Sequence, residues 1–183
     1  ITPTSVFQVP YAIEPPDAGG PITDFHEHEG ETLTPTGILA ESSNTGTVLI
    51  GQTLGDEQRY SMMRAFGFGQ ETGVELPGES AGLLRDWQQW AGRDRYVTMF
   101  GQAYAITAMQ EASALATIAN GGVRIAPHVV KSWTNADGTV EVPEGSQPVQ
   151  VMEQAAASQL LTMMESVVED KRGTAGAAKV PGY

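Results

Sequence analysis

The sequence predicts a mixed α/β domain of the α+β kind, in which helices dominate and strands are few. Three observations favour this class: several segments have helix caps or helical apolar spacing, one has a β-hairpin signal, and 67–95 is rich in glycine and proline. With 183 residues, 40% of them hydrophobic, the chain is long enough for one domain with a core and too short for two domains that each have a sizeable core.

The first half of the chain predicts a strand followed by helices around a polar break. Residues 2–10 have the pattern of a short edge strand bounded by prolines. Thr34 and Pro35 indicate an N-cap with proline at the first helical position, and a second helix is predicted over Thr47–Leu54. Between them stands Ser42-Ser43-Asn44. Because serine and asparagine compete for backbone hydrogen bonds inside helices, this triplet either caps a helix or is presented to a ligand.

The later elements are predicted from equally local signals. Asp56 begins a further helix. Thr107 and Gln110 have the spacing of a capping box before a helix that is apolar nearly all round, which predicts a buried central helix. Asp137-Gly138 joins two strand-like runs and indicates a hairpin turn. The last helix is predicted from about Glu153 to Glu169.

Composition and charge argue against several classes of function. The formal net charge of −12, with only ten scattered basic residues, argues against nucleic-acid binding. The absence of cysteine excludes disulfides, thiolate catalysis and zinc–thiolate sites. No apolar run approaches the ~20 residues of a membrane span. The chain begins with Ile1 and stops at Tyr183 without a closing element, so we expect an excerpt of a longer protein.

A cluster of histidines and acids around residues 24–29 raises the question of a metal site. In an extended segment His26 and His28 would lie on one side, but no third ligand can be nominated. We therefore interpret this segment as a solvated acidic loop and predict no metal ligands and no cofactor. Glu79 is expected to pair with nearby backbone or with an arginine. No nucleophile elbow or phosphate loop is present.

The blocks around Ser-Ser-Asn change its interpretation. In order, they are "ESSNTG", "FGFGQETGVELPGESAG", "GQAYAITAMQ", "ATIANGG" and "RGTAGAAKVPGY". This series resembles the transpeptidase domain of class B penicillin-binding proteins, with the nearest likeness to division-type enzymes of the actinobacterial kind. The resemblance covers essentially the whole chain. The plainest alternative, a soluble α/β domain with a capped helix junction, explains the triplet but not the ordered series.

The resemblance implies roles for two residues of the triplet. Enzymes of this family use three motifs, S-x-x-K, S-x-N and K-T-G. Ser42-Ser43-Asn44 matches the second. The match implies that Ser42 joins a proton relay with the lysine beside the nucleophile, and that Asn44 hydrogen-bonds the amide of a bound peptide or β-lactam side chain. Ser42 and Asn44 are therefore the predicted catalytic residues, whereas Ser43 is expected to point into the junction.

The other two motifs are absent from the chain. No serine is followed three residues later by lysine, and no lysine is followed by Thr-Gly. The resemblance implies that both motifs lie just outside the two ends. We therefore expect residues 1–183 to be part of a single transpeptidase domain, truncated at both ends, that contains most of the helical lobe and a hairpin of the penicillin-recognising fold with an incomplete sheet. Without nucleophile, base and oxyanion strand, the chain alone is predicted to be inactive.

For the parent protein, the resemblance implies a serine-type D,D-transpeptidase that cross-links peptidoglycan stem peptides through an acyl-enzyme and binds β-lactams. It also implies cell-division proteins as partners and a place on the outer face of the cell membrane, held by an N-terminal anchor outside this chain. One alternative is a non-catalytic transpeptidase-like scaffold or binding module of the division machinery. Another is a β-lactam-hydrolysing enzyme or sensor, which "TGVELPGESAG" and "PGY" disfavour.

Overall fold

The structure is a computed structural model that describes residues 1–142 and 147–182. Its strands are short and its helices are separated by irregular loops. The strands are β1 (Phe7–Val9), β2 (Ala12–Ile13), β3 (Ile22–Thr23), β4 (Glu31–Leu33), β5 (Val123–Arg124), β6 (Trp133–Thr134), β7 (Val140–Glu141) and β8 (Val149–Gln150). The α-helices are α1 (Pro35–Ala40), α2 (Asn44–Gly51), α3 (Asp56–Ala65), α4 (Asp94–Val97), α5 (Ala108–Ala119) and α6 (Gln154–Glu169).

The strands form antiparallel pairs, and the described residues contain no sheet of more than two strands. β1 pairs with β4, and β2 pairs with β3. β5 pairs with β8, and β6 pairs with β7 across the predicted Asp137-Gly138 turn. This arrangement confirms the predicted mixed α/β class with an incomplete sheet. No helix in the described part of the chain is long and apolar enough to cross a bilayer.

The chain divides into two compact units. The first comprises Ile1–Tyr60, Arg85–Tyr104 and the described residues from Ser158 onward. The second comprises Ser61–Leu84 and Ala105–Ala157.

The first unit contains two apolar clusters around the start of α2. Burying each of their Val, Leu and Ile side chains contributes about 1.5–3 kcal/mol to the free energy of folding. Helix α2 supplies Val48 to one cluster, while Leu49 and Ile50 pack against the other. The helix is therefore held on more than one side. The buried members are Ala18, Ile22, Val48, Tyr96 and Val97 in one cluster, and Val9, Leu33 and Ile38 in the other.

The segment 85–96 has no sequence pattern from which its role can be predicted, and in the structure it packs within the first unit. Trp90 is buried, and its indole N–H donates to the Arg85 carbonyl at 3.1 Å. The Arg59 guanidinium lies 5.4 Å from the centre of the indole ring, and Tyr60 meets the ring edge-on. Such contacts favour a packing role for this segment.

The second unit is organised around Gln110 at the start of α5. Both bonds of the predicted capping box are present, because Thr107 Oγ1 accepts from the Gln110 N–H and Gln110 Oε1 accepts from the Thr107 N–H. Gln110 is 1% exposed, and its Nε2 donates to the Gln70 carbonyl at 2.7 Å and to the Ala81 carbonyl at 2.9 Å. One side chain thus closes the helix start and fixes two segments of the glycine-rich loop.

The prediction that α5 is a buried central helix is wrong for the described chain. Met109 and Leu115 are 40% and 48% exposed. The reason is that the described residues cover only one face of the helix, to which Gln110, Ala114 and Thr117 belong.

Helices α1, α2, α3 and α6 agree with the sequence prediction to within a few residues, whereas the short helix α4 was not predicted. α1 starts after Thr34, whose hydroxyl accepts from the Gly37 N–H, and α3 begins at the predicted Asp56. α6 covers Gln154–Glu169. α2 begins at Asn44 rather than Thr47, because Ser43 serves as its N-cap.

Candidate active site

The Ser-Ser-Asn triplet forms a tight turn that ends α1 and begins α2. Ser42 has φ +57°, the left-handed conformation that usually carries glycine at this position after a helix. Its N–H donates to the Leu39 carbonyl at 3.2 Å, and the Ser43 N–H donates to the Ile38 carbonyl at 3.1 Å. This pair of bonds is the Schellman motif of a helix C-terminus. A left-handed non-glycine residue costs about 1–2 kcal/mol, so the turn holds Ser42 in a strained conformation with its side chain exposed.

Ser43 lies inside the junction, which confirms the expectation for this residue. It is 5% exposed and has extended backbone angles. Its Oγ accepts from the Gly46 N–H at 2.9 Å, which makes it the N-cap of α2, and donates to Asp24 Oδ2 at 2.8 Å. A Cβ on Gly46 would lie 2.7 Å from Ile38 Cγ1, so the two helices approach closely at a position that requires glycine.

Asn44 is the first residue of α2 and is half-buried. Its Nδ2 donates to the Thr23 carbonyl at 3.0 Å. This bond fixes the orientation of the carboxamide against β3.

The Asp24 carboxylate makes polar contacts with two residues of the turn and with His28. It is 9% exposed. Oδ1 accepts from the Thr45 N–H at 2.9 Å, while Oδ2 lies 2.8 Å from Ser43 Oγ, 3.1 Å from Thr45 Oγ1 and 3.2 Å from His28 Nε2. Sequence reasoning grouped Asp24 with the histidines and missed this role. Its partners on the turn are 19 to 21 residues away along the chain, so no local pattern connects them.

An open cavity of about 590 Å³ lies beside the turn in the first unit. Ser42 and Ser43 line it, but Asn44 does not. His26 and His28 both line it from the acidic loop. Among the described residues, no group of three or more histidines and acids is placed to hold a metal ion. The structure therefore brings Ser42 to a cavity and holds Asn44 on the same turn, directed towards β3.

The segment that follows α6 contacts the end of α1, directly before the turn. The Arg172 guanidinium forms an ion pair with Glu31 at 3.3 Å, which is also a hydrogen bond. It forms a second ion pair with Glu41 at 2.9 Å, but the geometry of that pair is not that of a hydrogen bond. The Thr174 N–H donates to the Ala40 carbonyl at 3.1 Å. Burial raises the pKa of Glu41, the neighbouring Glu31 carboxyl raises it further, and the Arg172 guanidinium lowers it. These contacts connect the "RGTAG" block to the residues immediately before Ser42.

Comparison with known proteins decides the family. Residues 2–183 match the family described as penicillin binding protein transpeptidase domain. The chain belongs to this family. Among its relatives, the penicillin-binding protein PbpB of Mycolicibacterium smegmatis is 39% identical to the chain in sequence. The match covers 99% of the chain and 28% of PbpB. The probable peptidoglycan D,D-transpeptidase PenA of Neisseria meningitidis is 30% identical, over 95% of the chain and 27% of PenA. The chain thus spans little more than a quarter of the length of these relatives.

Solved structures give the same result for the fold. The crystal structure of penicillin binding protein 3 from Mycobacterium tuberculosis in its apo form matches with a TM-score of 0.92 and 36% identity, over 100% of this chain and 42% of that chain. Crystal structures of that protein complexed with aztreonam and with ampicillin match with the same TM-score. The resemblance derived from the sequence blocks is therefore confirmed, and so is the mixed α/β penicillin-binding transpeptidase fold.

Proposed function

We propose that residues 1–183 are part of one transpeptidase domain of a serine-type D,D-transpeptidase. The whole enzyme cross-links peptidoglycan stem peptides through an acyl-enzyme and is acylated by penicillin. The observation that carries the proposal is the strained Ser-Ser-Asn turn, which presents Ser42 to a cavity in a chain of the transpeptidase family. The names of the relatives, one of them a probable peptidoglycan D,D-transpeptidase, support the same reaction.

On this proposal the turn assists a nucleophile that it does not itself contain. Ser42 Oγ takes part in the proton relay of the nucleophile's lysine, and Asn44 hydrogen-bonds the amide of a bound peptide or β-lactam side chain. Acyl transfer also needs an activated nucleophile and donors for the oxyanion. Because the chain has no S-x-x-K and no K-T-G sequence, we propose that it reacts with penicillin only within a longer polypeptide that supplies both.

Partners and location follow from the same proposal. The substrates are peptidoglycan stem peptides, and cell-division proteins are the macromolecular partners. The net charge of −12 favours partners other than nucleic acid. The domain lies on the outer face of the cell membrane, with an N-terminal anchor outside residues 1–183.

The test is intact mass spectrometry after incubation with benzylpenicillin. Two polypeptides are compared: the chain of 183 residues and the longer gene product that includes S-x-x-K and K-T-G. We expect one penicilloyl adduct on the longer polypeptide and none on the shorter one. A Ser42→Ala variant of the longer polypeptide is the control. It should still form the adduct, more slowly, because Ser42 is not the nucleophile.

Two results would contradict the proposal. An adduct on Ser42 itself, located by peptide mapping, would make this residue the nucleophile. No adduct on a folded longer polypeptide would favour the non-catalytic scaffold of the division machinery, and Ser-Ser-Asn would then be a helix junction only.

A further inference from the structure

We propose that Asp24 is a positioning residue for the Ser-Ser-Asn turn, and that it acts together with the backbone carbonyl of Thr23. This inference rests on the proposed transpeptidase function. The three residues that follow Ser42 are all bonded to this one dipeptide: Ser43 and Thr45 to the Asp24 carboxylate, and Asn44 to the Thr23 carbonyl. The dipeptide thereby sets the directions in which Ser42 and Asn44 point.

The dipeptide is itself held by a strand pair. Thr23 is the last residue of β3 and lies opposite Ala12 of β2. The Asp24 N–H donates to the Tyr11 carbonyl at 3.0 Å, which extends the pairing by one residue. Positioning requires a rigid support behind the positioned group. The pair β2 and β3 provides this support, because Asp24 directly follows the paired strand β3.

Asp24 acts on Ser42 through Ser43. Ser43 Oγ uses its single proton in the bond to Asp24 and accepts the Gly46 N–H, so its side chain has one allowed direction. A left-handed serine persists only where its surroundings determine it from both sides. Helix α1 provides one side through the bonds to the Leu39 and Ile38 carbonyls, and Asp24 provides the other through Ser43. Without Asp24, Ser42 is free to relax towards a right-handed conformation, which moves its hydroxyl.

Asp24 acts on Asn44 through both neighbours of that residue. Ser43 precedes Asn44 and Thr45 follows it, and both donate to the Asp24 carboxylate. The backbone of Asn44 is thus fixed at each end while Thr23 orients its carboxamide. Asp24 lines the same cavity as Ser42, but both of its carboxylate oxygens are occupied by the turn and by His28, so we assign it to positioning other residues and not to contacting a substrate.

The test uses an Asp24→Asn variant of the longer polypeptide. An amide has one acceptor oxygen, so either the Ser43 hydroxyl or the Thr45 N–H loses its acceptor. The matched control is Glu29→Gln, which removes one charge from an exposed side chain of the same loop. For each protein, the rate constant of acylation and the fraction labelled at saturation are measured with two β-lactams. Benzylpenicillin has a side-chain amide for Asn44, whereas 6-aminopenicillanic acid has none.

We expect the rate constant of Asp24→Asn with benzylpenicillin to fall about tenfold or more, since small displacements of catalytic groups have effects of this size. The fall with 6-aminopenicillanic acid should be smaller, so the ratio of the two rate constants decreases while the labelled fraction stays the same. Glu29→Gln should keep both rate constants. An unchanged ratio, or a loss confined to the labelled fraction, would overturn the inference, because a merely structural role changes only the amount of folded protein.

A second variant keeps the inference testable if Asp24→Asn does not fold. Ser43→Ala retains the carboxylate and its bond to the Thr45 N–H, but it removes the connection to Ser42 and one of the two bonds that fix the backbone of Asn44. It should decrease the same ratio. Where both variants fold, the loss of acylation rate in the double variant should be smaller than the product of the two single losses, because the two residues act partly in one pathway. Fully additive losses would overturn the inference. Failure of the proposed function itself has a different signature, since the unsubstituted longer polypeptide would then remain unlabelled.

Discussion

Two carboxylates each organise one turn of this chain, Asp24 in the first unit and Glu79 in the second. Glu79 accepts from the Thr72 N–H at 2.8 Å, from the Thr72 hydroxyl and from the Gly73 N–H at 3.1 Å. Asp24 likewise accepts from a backbone N–H and from hydroxyls. The partners of Glu79 are 6 or 7 residues away, whereas those of Asp24 on its turn are 19 to 21 residues away.

The difference shows that the same set of bonds has different consequences at different depths. Asp24 and its donors Ser43 and Thr45 are buried, so these donors remain without a hydrogen-bond acceptor when the carboxylate is removed. An unsatisfied buried donor costs about 1–3 kcal/mol. Glu79 is partly exposed and Gly73 is exposed, so water can replace the carboxylate at the Gly73 N–H when Glu79 is removed, whereas Thr72 is itself buried. We therefore expect large effects at Asp24 and small ones at Glu79.

The largest effect is expected for Asp24→Ala. The Ser43 hydroxyl and the Thr45 N–H lose a buried acceptor, which should lower the free energy of unfolding by about 3 kcal/mol. Urea unfolding followed by circular dichroism measures this quantity. Glu29→Ala is the control and should change it by less than about 0.5 kcal/mol. If Asp24→Ala lowers the free energy of unfolding no more than Glu29→Ala does, the expected difference between buried Asp24 and partly exposed Glu79 is contradicted.

A smaller effect is expected for Ser43→Ala. This variant loses the N-cap of α2 and one bond to Asp24, which should lower the free energy of unfolding by about 1–2 kcal/mol. The same unfolding experiment applies. Ser42→Ala is a matched control because its side chain is exposed, and we expect a change close to zero. Equal losses at the two serines would mean that Ser43 does not cap the helix in solution.

The smallest effect is expected for Glu79→Gln, and it depends on pH. The Thr72 hydroxyl is the main cause that lowers the pKa of Glu79, with the Thr72 and Gly73 N–H groups adding to it. A lowered pKa in the folded state stabilises the fold above the unfolded-state pKa, and this stabilisation is lost as the pH falls through the folded-state pKa. The difference in melting temperature between the original protein and Glu79→Gln should therefore shrink as the pH is lowered. A constant difference across the acid range would contradict it.

Much of the fold could be predicted because its determinants are local. Thr34 binds the Gly37 N–H, and Thr107 exchanges two bonds with Gln110. The Asp137-Gly138 turn closes a hairpin whose strands are only two residues long. In each case the residues that decide the structure stand within a few positions of each other, so their pattern is visible in the sequence.

What could not be predicted depends on residues far apart in the chain. The start of α2 at Asn44 follows from the Ser43 cap, and the role of Asp24 follows from a strand pair that delivers it to that cap. The exposure of α5 depends on what surrounds the helix rather than on its own residues. The roles of Ser42 and Asn44 stay predictions: the structure places Ser42 at a cavity and Asn44 against Thr23.

The paired backbone amides of the turn have a thermodynamic consequence. The N–H groups of Ser42 and Ser43 bind carbonyls of α1, that of Thr45 binds Asp24, and that of Gly46 binds Ser43 Oγ. Fixing the backbone of one residue costs roughly 1–2 kcal/mol of conformational entropy. At this turn that cost is incurred when the chain folds, so a molecule that binds there does not have to order the loop on arrival.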